Sequence, residues 1–125
     1  MFTALAVGTV CGLVNGVLIA SLYAPNGNPQ PGPKFDYKLA WLDALYEHAQ
    51  SLIDCKAPAI LIGDYNVIPT DLDVYKPENW KDDALMQPES RAAFRRILHA
   101  GWTDAIRARH PDGAQSSFRY QESPR

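Results

Sequence analysis

Three features of this sequence predict an α/β fold. Two short apolar runs, Val17–Tyr23 and Ala57–Ile62, have the length of buried strands. Between them the apolar residues recur every three or four positions, which is the helical period. The second run ends in Gly63-Asp64-Tyr65-Asn66, a polar turn of the kind found where a strand leaves its sheet. Strand, helix and strand in that order is an α/β signature that leaves parallel and antiparallel pairing both open. The 125 residues make one domain at most, and 46% hydrophobic with 21% charged residues is a globular rather than a disordered composition.

Residues 1–33 carry no charged side chain. A signal peptide needs a basic start, which this stretch lacks. A membrane span needs about twenty mostly apolar residues, and Thr9, Asn15, Ser21 and several glycines dilute the run. The favoured reading is a strand hairpin, near Ala4–Val10 and Val17–Tyr23, turning through Cys11-Gly12 or Asn15-Gly16. The loop that follows, Tyr23 to Phe35, is dense in Pro, Gly and Asn, a composition that suits a connector. Tyr23 taken alone reads as a strand-end aromatic with its hydroxyl in water. Lys34, the first cation in the chain, reads as a solvated lysine, with contact to a nucleic-acid phosphate as the alternative.

Leu39, Leu42, Leu45, Ala49, Leu52 and Ile53 predict an amphipathic helix over 36–53. Asp36 is its candidate N-cap, and Lys38, Asp43, Glu47, His48 and Gln50 fall between the apolar positions, on the polar side. Residues 71–83 are polar and aperiodic and read as a long loop. Asp71, Asp73, Asp82 and Asp83 lack the spacing, the glycine and the final glutamate of a calcium loop. Pro88 followed by Glu89 opens a second helix that runs to about Ala100 and stops at Gly101. Phe94, Ile97 and Leu98 form its apolar stripe; Arg91, Arg95 and Arg96 form a solvated face, with DNA-backbone contact as the less favoured alternative. His48, His99 and His110 read as a helix face, a helix end and a loop residue before proline, not as ligands. Cys11 and Cys55 are too few for a disulfide scaffold or a zinc site. They read as buried thiols of a reducing compartment, the cytoplasm being the simplest. A net charge of −2 provides no general attraction to nucleic acid, so DNA binding would need a local basic face.

The chemistry concentrates at Asp64 and Asn66. Side chains two apart on a strand share a face, so this carboxylate and amide are expected to meet a common space while Tyr65 turns away. Gly63, without a Cβ, lets another group approach the backbone beside the carboxylate. Such a pair holds a water, a hard cation or a phosphate oxygen, or else simply caps a turn.

The continuation decides between these. Gly63-Asp64-Tyr65-Asn66 followed by Pro69-Thr70-Asp71-Leu72-Asp73 resembles the exodeoxyribonuclease III family of DNA-repair nucleases, within the endonuclease/exonuclease/phosphatase superfamily. Leu22-Tyr23-Ala24-Pro25-Asn26-Gly27-Asn28-Pro29, Gly32-Pro33-Lys34-Phe35 and Gly101-Trp102-Thr103-Asp104-Ala105 carry the same resemblance, which covers roughly Val17 to Ser117. It fades at Phe118-Arg119-Tyr120, where the family's tryptophan is missing. The resemblance implies part of a two-sheet α/β sandwich of the deoxyribonuclease I kind, about half of the full fold, and a magnesium-dependent phosphodiester hydrolase, with manganese as an alternative ion. Its substrates would be abasic sites and 3′ ends of double-stranded DNA, with neither a membrane nor an obligate protein partner.

Residue by residue, the resemblance implies a catalytic Tyr23, Asp64 and Asn66, a metal side formed by Asp64 and Asn66, and DNA contacts at Asn26 and Lys34. The family's metal-binding glutamate is expected before residue 1 and its Asp-His pair beyond Arg125. The isolated chain is therefore expected to have little or no activity and to self-associate through exposed apolar sheet surface. Two other readings stand beside this one. One is a phosphodiesterase of the same superfamily acting on lipid headgroups or inositol phosphates; the other is a non-catalytic DNA-binding remnant.

Overall fold

The computed structural model describes residues 10–14, 16–56 and 58–112, with side chains from residue 16 onward. The hairpin forms. Strand β1, Val10–Val14, pairs antiparallel with β2, Val17–Tyr23, and Val14 stands opposite Val17. The turn therefore lies at 15–16, the second of the two places expected, and Gly16 has the positive φ of 80° that a tight hairpin turn requires. Of the first strand expected near Ala4–Val10, only Val10 is among the described residues, where it opens β1.

Helix α1 spans Pro33–Asp54. It begins before the apolar period does, because Pro33 suits a first turn in which its missing N–H has no partner to lose. Gly32 is the N-cap, and Asp36 sits inside the first turn, where its charge favours the helix dipole. The buried residues of α1 are Phe35, Lys38, Trp41, Leu42, Leu45 and Ala49. Lys38 is thus fully buried, not on the polar side as expected. It lies three and four residues before Trp41 and Leu42, so the helical period itself turns it inward. Only its charge argued otherwise. His48 is half-buried, and Cys55, expected to be a buried thiol, is exposed at the C-cap of α1, beyond the last turn that packs.

The chain returns to strand β3, Ala59–Asp64, which pairs parallel with β2, so the sheet order is β1-β2-β3. Helix α2 is Pro88–His99, as Pro88 and Glu89 predict, and a short α3 covers Ala105–Arg109. Asp104 caps α3 by accepting from the amides of Ile106 at 3.1 Å and Arg107 at 2.8 Å. One face of the sheet is covered: Leu22 and Ala24 pack with Trp41, Leu42 and Leu45 of α1 and Ile97 of α2. The other face is open, with Ser21 and Tyr23 exposed on β2 and Ile60 and Ile62 left 49% and 55% exposed on β3.

The connection from β3 to α2 contains two 3-10 turns, Asp71–Asp73 and Pro77–Trp80. The arginines of α2 fasten it and its neighbour. Arg91 donates from Nε to Ile68 O at 2.9 Å and pairs with Asp71 at 2.8 Å. Arg96 pairs with Asp43 at 3.0 Å and lies 3.7 Å from the centre of the Tyr46 ring, which ties α2 to α1. These two are cross-links, not a merely solvated face. No helix among the described residues is long and apolar enough to cross a membrane.

Candidate active site

Strands β2 and β3 run parallel with Tyr23 beside Asp64, each the last residue of its strand. Register neighbours of a parallel pair project to the same side, here the open one. Tyr23 is 64% exposed and Asp64 is half-buried. The pairing continues one step past the strands, where Ala24 N donates to Asp64 O at 2.8 Å. The carboxyl ends of parallel strands are where open α/β sheets place their ligands, so a phenol and a carboxylate converge at that rim.

Gly63 explains how the strands come so close. It has φ 141°, and a Cβ at this position would stand 1.9 Å from Leu22 O. The group whose approach the glycine permits is β2 itself.

Strand alternation stops at Asp64. Asn66 has φ 48°, a left-handed conformation that asparagine tolerates better than most residues, so it does not share a strand face with Asp64. Its backbone N–H donates to Asp64 Oδ1 at 2.8 Å, while its side-chain Nδ2 donates to Ala24 O at 2.7 Å. The main chain of Asn66 thus orients the carboxylate, and its buried side chain ties the motif to the loop after β2. Tyr65 turns away from the rim, as expected, and packs toward the core. Its hydroxyl donates to Leu61 O at 3.1 Å and its ring meets Phe94 edge-on at 5.4 Å. Burial, and then the charge of Asp104, pushes this phenol up to about 12.

The loop carrying Asn26 is held by Lys38, a residue that sequence reasoning missed. The Lys38 ammonium donates to Asn26 O at 3.0 Å, to Asn66 O and to Ala84 O at 3.4 Å. Burial pushes it down from 10.5 to about 8, opposed by the charges of Asp83 and Asp64. The available signal was its position on the apolar stripe of α1. Asn26 is itself exposed, and its Oδ1 accepts from Asn28 N at 3.0 Å. Lys34 is exposed in the first turn of α1, and no described hydrogen bond or ion pair ties it to Tyr23 or Asp64.

The Pro69–Asp73 run builds structure beside the site. Asp73 is buried and accepts from Thr70 N at 2.9 Å, from Thr70 Oγ1 at 2.7 Å and from Arg107 Nη2, which joins the turn to α3. Beside β3, the edge strand among the described residues, lies a cleft of about 510 Å³ whose lining includes Ile60, Ile62, Asp64, Phe94, Leu98 and Trp102.

No group of three or more His, Cys, Asp or Glu among the described residues is placed to hold a metal ion. Magnesium is commonly bound by one or two carboxylates together with substrate phosphate and water. Asp64 fits the single-carboxylate end of that pattern, whereas Nδ2 of Asn66 is committed to Ala24 O.

Comparison with known proteins finds the same family by sequence and by shape. Residues 2–121 match the Endonuclease/Exonuclease/phosphatase family. An exodeoxyribonuclease of Bacillus subtilis is 34% identical over 111 residues, 87% of this chain and 43% of that protein. The DNA repair nuclease APEX1 of Danio rerio is 31% identical over 96 residues, 77% of this chain and 30% of that protein. Among solved structures, an AP endonuclease from Archaeoglobus fulgidus aligns with a TM-score of 0.78 at 31% identity, over 84% of this chain and 41% of its own. A 3′-5′ exonuclease, NExo, from Neisseria meningitidis aligns with a TM-score of 0.80 at 34% identity, over 86% of this chain and 42% of its own. This chain spans less than half the length of these relatives and shares their α/β fold over the part it covers.

Proposed function

This chain belongs to the endonuclease/exonuclease/phosphatase family, and on that premise we propose that it supplies part of the cleft of a DNA-repair phosphodiester hydrolase. The substrates are double-stranded DNA at abasic sites and 3′ ends. The observation that carries the reading is the in-register placement of Tyr23 beside Asp64 on the open rim, with Asn66 N–H orienting the carboxylate.

Phosphodiester hydrolysis needs an in-line water, its activation, and neutralisation of the negative charge that develops on the phosphoryl and leaving oxygens. Asp64, held at Oδ1, orients or deprotonates the water with its remaining oxygen. The Tyr23 hydroxyl donates to a phosphoryl oxygen or to the departing one. Asn66 fixes Asp64, and the Asn26 loop and Lys34 meet the DNA backbone. Magnesium, with manganese as the alternative, fits Asp64 as one ligand beside substrate phosphate and water, and it supplies charge neutralisation at the phosphoryl oxygens. We place the protein in the cytoplasm and invoke no obligate protein partner. The isolated chain has little or no turnover, because groups that act as one unit lose orders of magnitude when separated. A lipid or inositol phosphodiesterase is the second reading; the Pro69–Asp73 run and the nucleases among the relatives weigh against it.

The test replaces the matching portion of the Bacillus subtilis relative with residues 17–117 of this chain. The chimera is expected to cleave abasic duplex DNA in the presence of magnesium, and Asp64→Ala to lower kcat by about a thousandfold. A folded chimera that hydrolyses inositol phosphates but leaves DNA intact would overturn the assignment. Incision by the 125-residue chain alone, abolished by Asp64→Ala, would overturn its inactivity.

A further inference from the structure

Lys38 is a charged side chain with no accessible surface, on the apolar stripe of a helix, in a chain with ample apolar residues for that position. Burying an ammonium is unfavourable unless each N–H finds an acceptor. Here the three acceptors are main-chain carbonyls: Asn26 in the loop after β2, and Asn66 and Ala84 near the two ends of the connection from β3 to α2. The space for it is built in. Gly27 has φ 89°, and a Cβ there would stand 2.6 Å from Lys38 Cδ, so the loop after β2 passes against the lysine stem only as glycine. The loop after β2 and the turn after β3 carry the site residues, and they are joined again by Asn66 Nδ2 on Ala24 O.

We propose that Lys38 is a positioning residue of the cleft, whose ammonium fastens the Asn26 loop to the Asn66 turn and, through Asn66 N–H on Asp64 Oδ1, holds the carboxylate beside Tyr23. Lys38 itself touches no substrate. An apolar side chain of equal length would fill the same volume but donate to none of these carbonyls, leaving that of Asn66 buried without the ammonium and the Asn26 loop untied. The Ala84 carbonyl keeps one other partner, Ser90 Oγ at 2.6 Å, so the loss falls mainly on the two loops of the site. The consequence for DNA rests on the hydrolase reading, whereas the geometry does not, and two measurements separate them.

The first is amide hydrogen exchange in the 125-residue chain, comparing Lys38→Met, Lys38→Arg and, as a core control in the same helix, Leu45→Ala, all at matched global stability. Lys38→Met is expected to speed exchange at Ala24 and Asn66 by about tenfold or more beyond the control, and Lys38→Arg to recover most of it. The second follows backbone amide shifts of Tyr23, Asn26 and Asp64 as an abasic-site duplex is added with magnesium chloride. Lys38→Met is expected to weaken that binding about tenfold while Leu45→Ala leaves it unchanged. Equal loosening by Lys38→Met and Leu45→Ala, or Lys38→Met binding DNA as tightly as wild type, overturns the positioning role. A wild-type chain that shows no shift with DNA counts against the hydrolase reading instead, and the exchange measurement then decides the role of Lys38 alone.

Discussion

The two faces of the small sheet differ in what holds them, and the difference separates stability from chemistry. On the covered face Ala20 and Leu22 are buried, and Leu22 packs with Leu42 and Leu45 of α1, at 1% and 2% exposure, and Ile97 of α2. On the open face Tyr23, Ile60 and Ile62 stand in solvent, and Asp64 lies at its rim. Alternation along β2 sends consecutive residues to opposite sides: Leu22 to the core and Tyr23 to the open face, where the proposed site lies. A site built this way inherits its rigidity from the face behind it. The open face also presents large apolar residues on β3, which no other described strand pairs on its outer side, a surface on which further polypeptide can pair.

The largest expected effect strikes both faces at once. Gly63→Ala would set a methyl 1.9 Å from Leu22 O, so β2 and β3 must separate. The variant is expected to lose about 3 kcal/mol or more of stability, measured by urea unfolding, and a cooperative melt at the wild-type midpoint would break the account of the close approach. Next comes the contrast itself. Leu42→Ala on the covered side is expected to cost about 2–5 kcal/mol, whereas Ile62→Ala on the open side should cost about 0.5 kcal/mol or less. Similar losses for the two would mean that the open face is packed in solution. Self-association sharpens the same point: sedimentation should detect oligomers of the wild-type chain whose population falls on Ile62→Lys, with the melting midpoint shifted little. A wild-type chain that sediments as a compact monomer would show that this face is satisfied within the chain.

The smallest effect is a pH dependence with opposed limbs. Lys38 has its pKa lowered by burial from 10.5 to about 8 in the folded chain, so the unfolded chain binds more protons here between those values. Stability therefore rises with pH across that window. Tyr65 runs the other way, since burial raises it from 10.0 to about 12. The stability it contributes is complete below its ordinary value and is lost as pH climbs through its folded one. The melting midpoint is expected to peak at about pH 10, with Lys38→Met removing the rising limb and Tyr65→Phe the falling one. A rising limb that survives in Lys38→Met would assign it to another group.

Much of this was legible from local pattern. The turn at Gly63-Asp64-Tyr65-Asn66, the helix opened by Pro88, and the hairpin between uncharged runs each depend on neighbours within a few residues, and each formed. Tyr23 and Asp64 were legible as strand ends. Their meeting at one rim was expected only from the family resemblance, because parallel pairing joins residues 41 positions apart and no local period encodes it. The cross-links of Arg91 and Arg96 were not legible for the same reason: Ile68 and Asp43, their partners, lie on other elements, while Arg95 and Arg96 stay exposed as expected.

The sequence by itself determined the strand–helix–strand order, the polar turn and the identity of the two rim side chains, since hydrophobic period and turn chemistry act over short separations. Only the tertiary structure decided that a lysine would be buried, that the Asn66 main chain rather than its side chain would hold the carboxylate, and which face of the sheet would stay open. Those outcomes depend on which carbonyls and which apolar surfaces meet once distant segments are brought together, and the cost of burying a charge is settled only there.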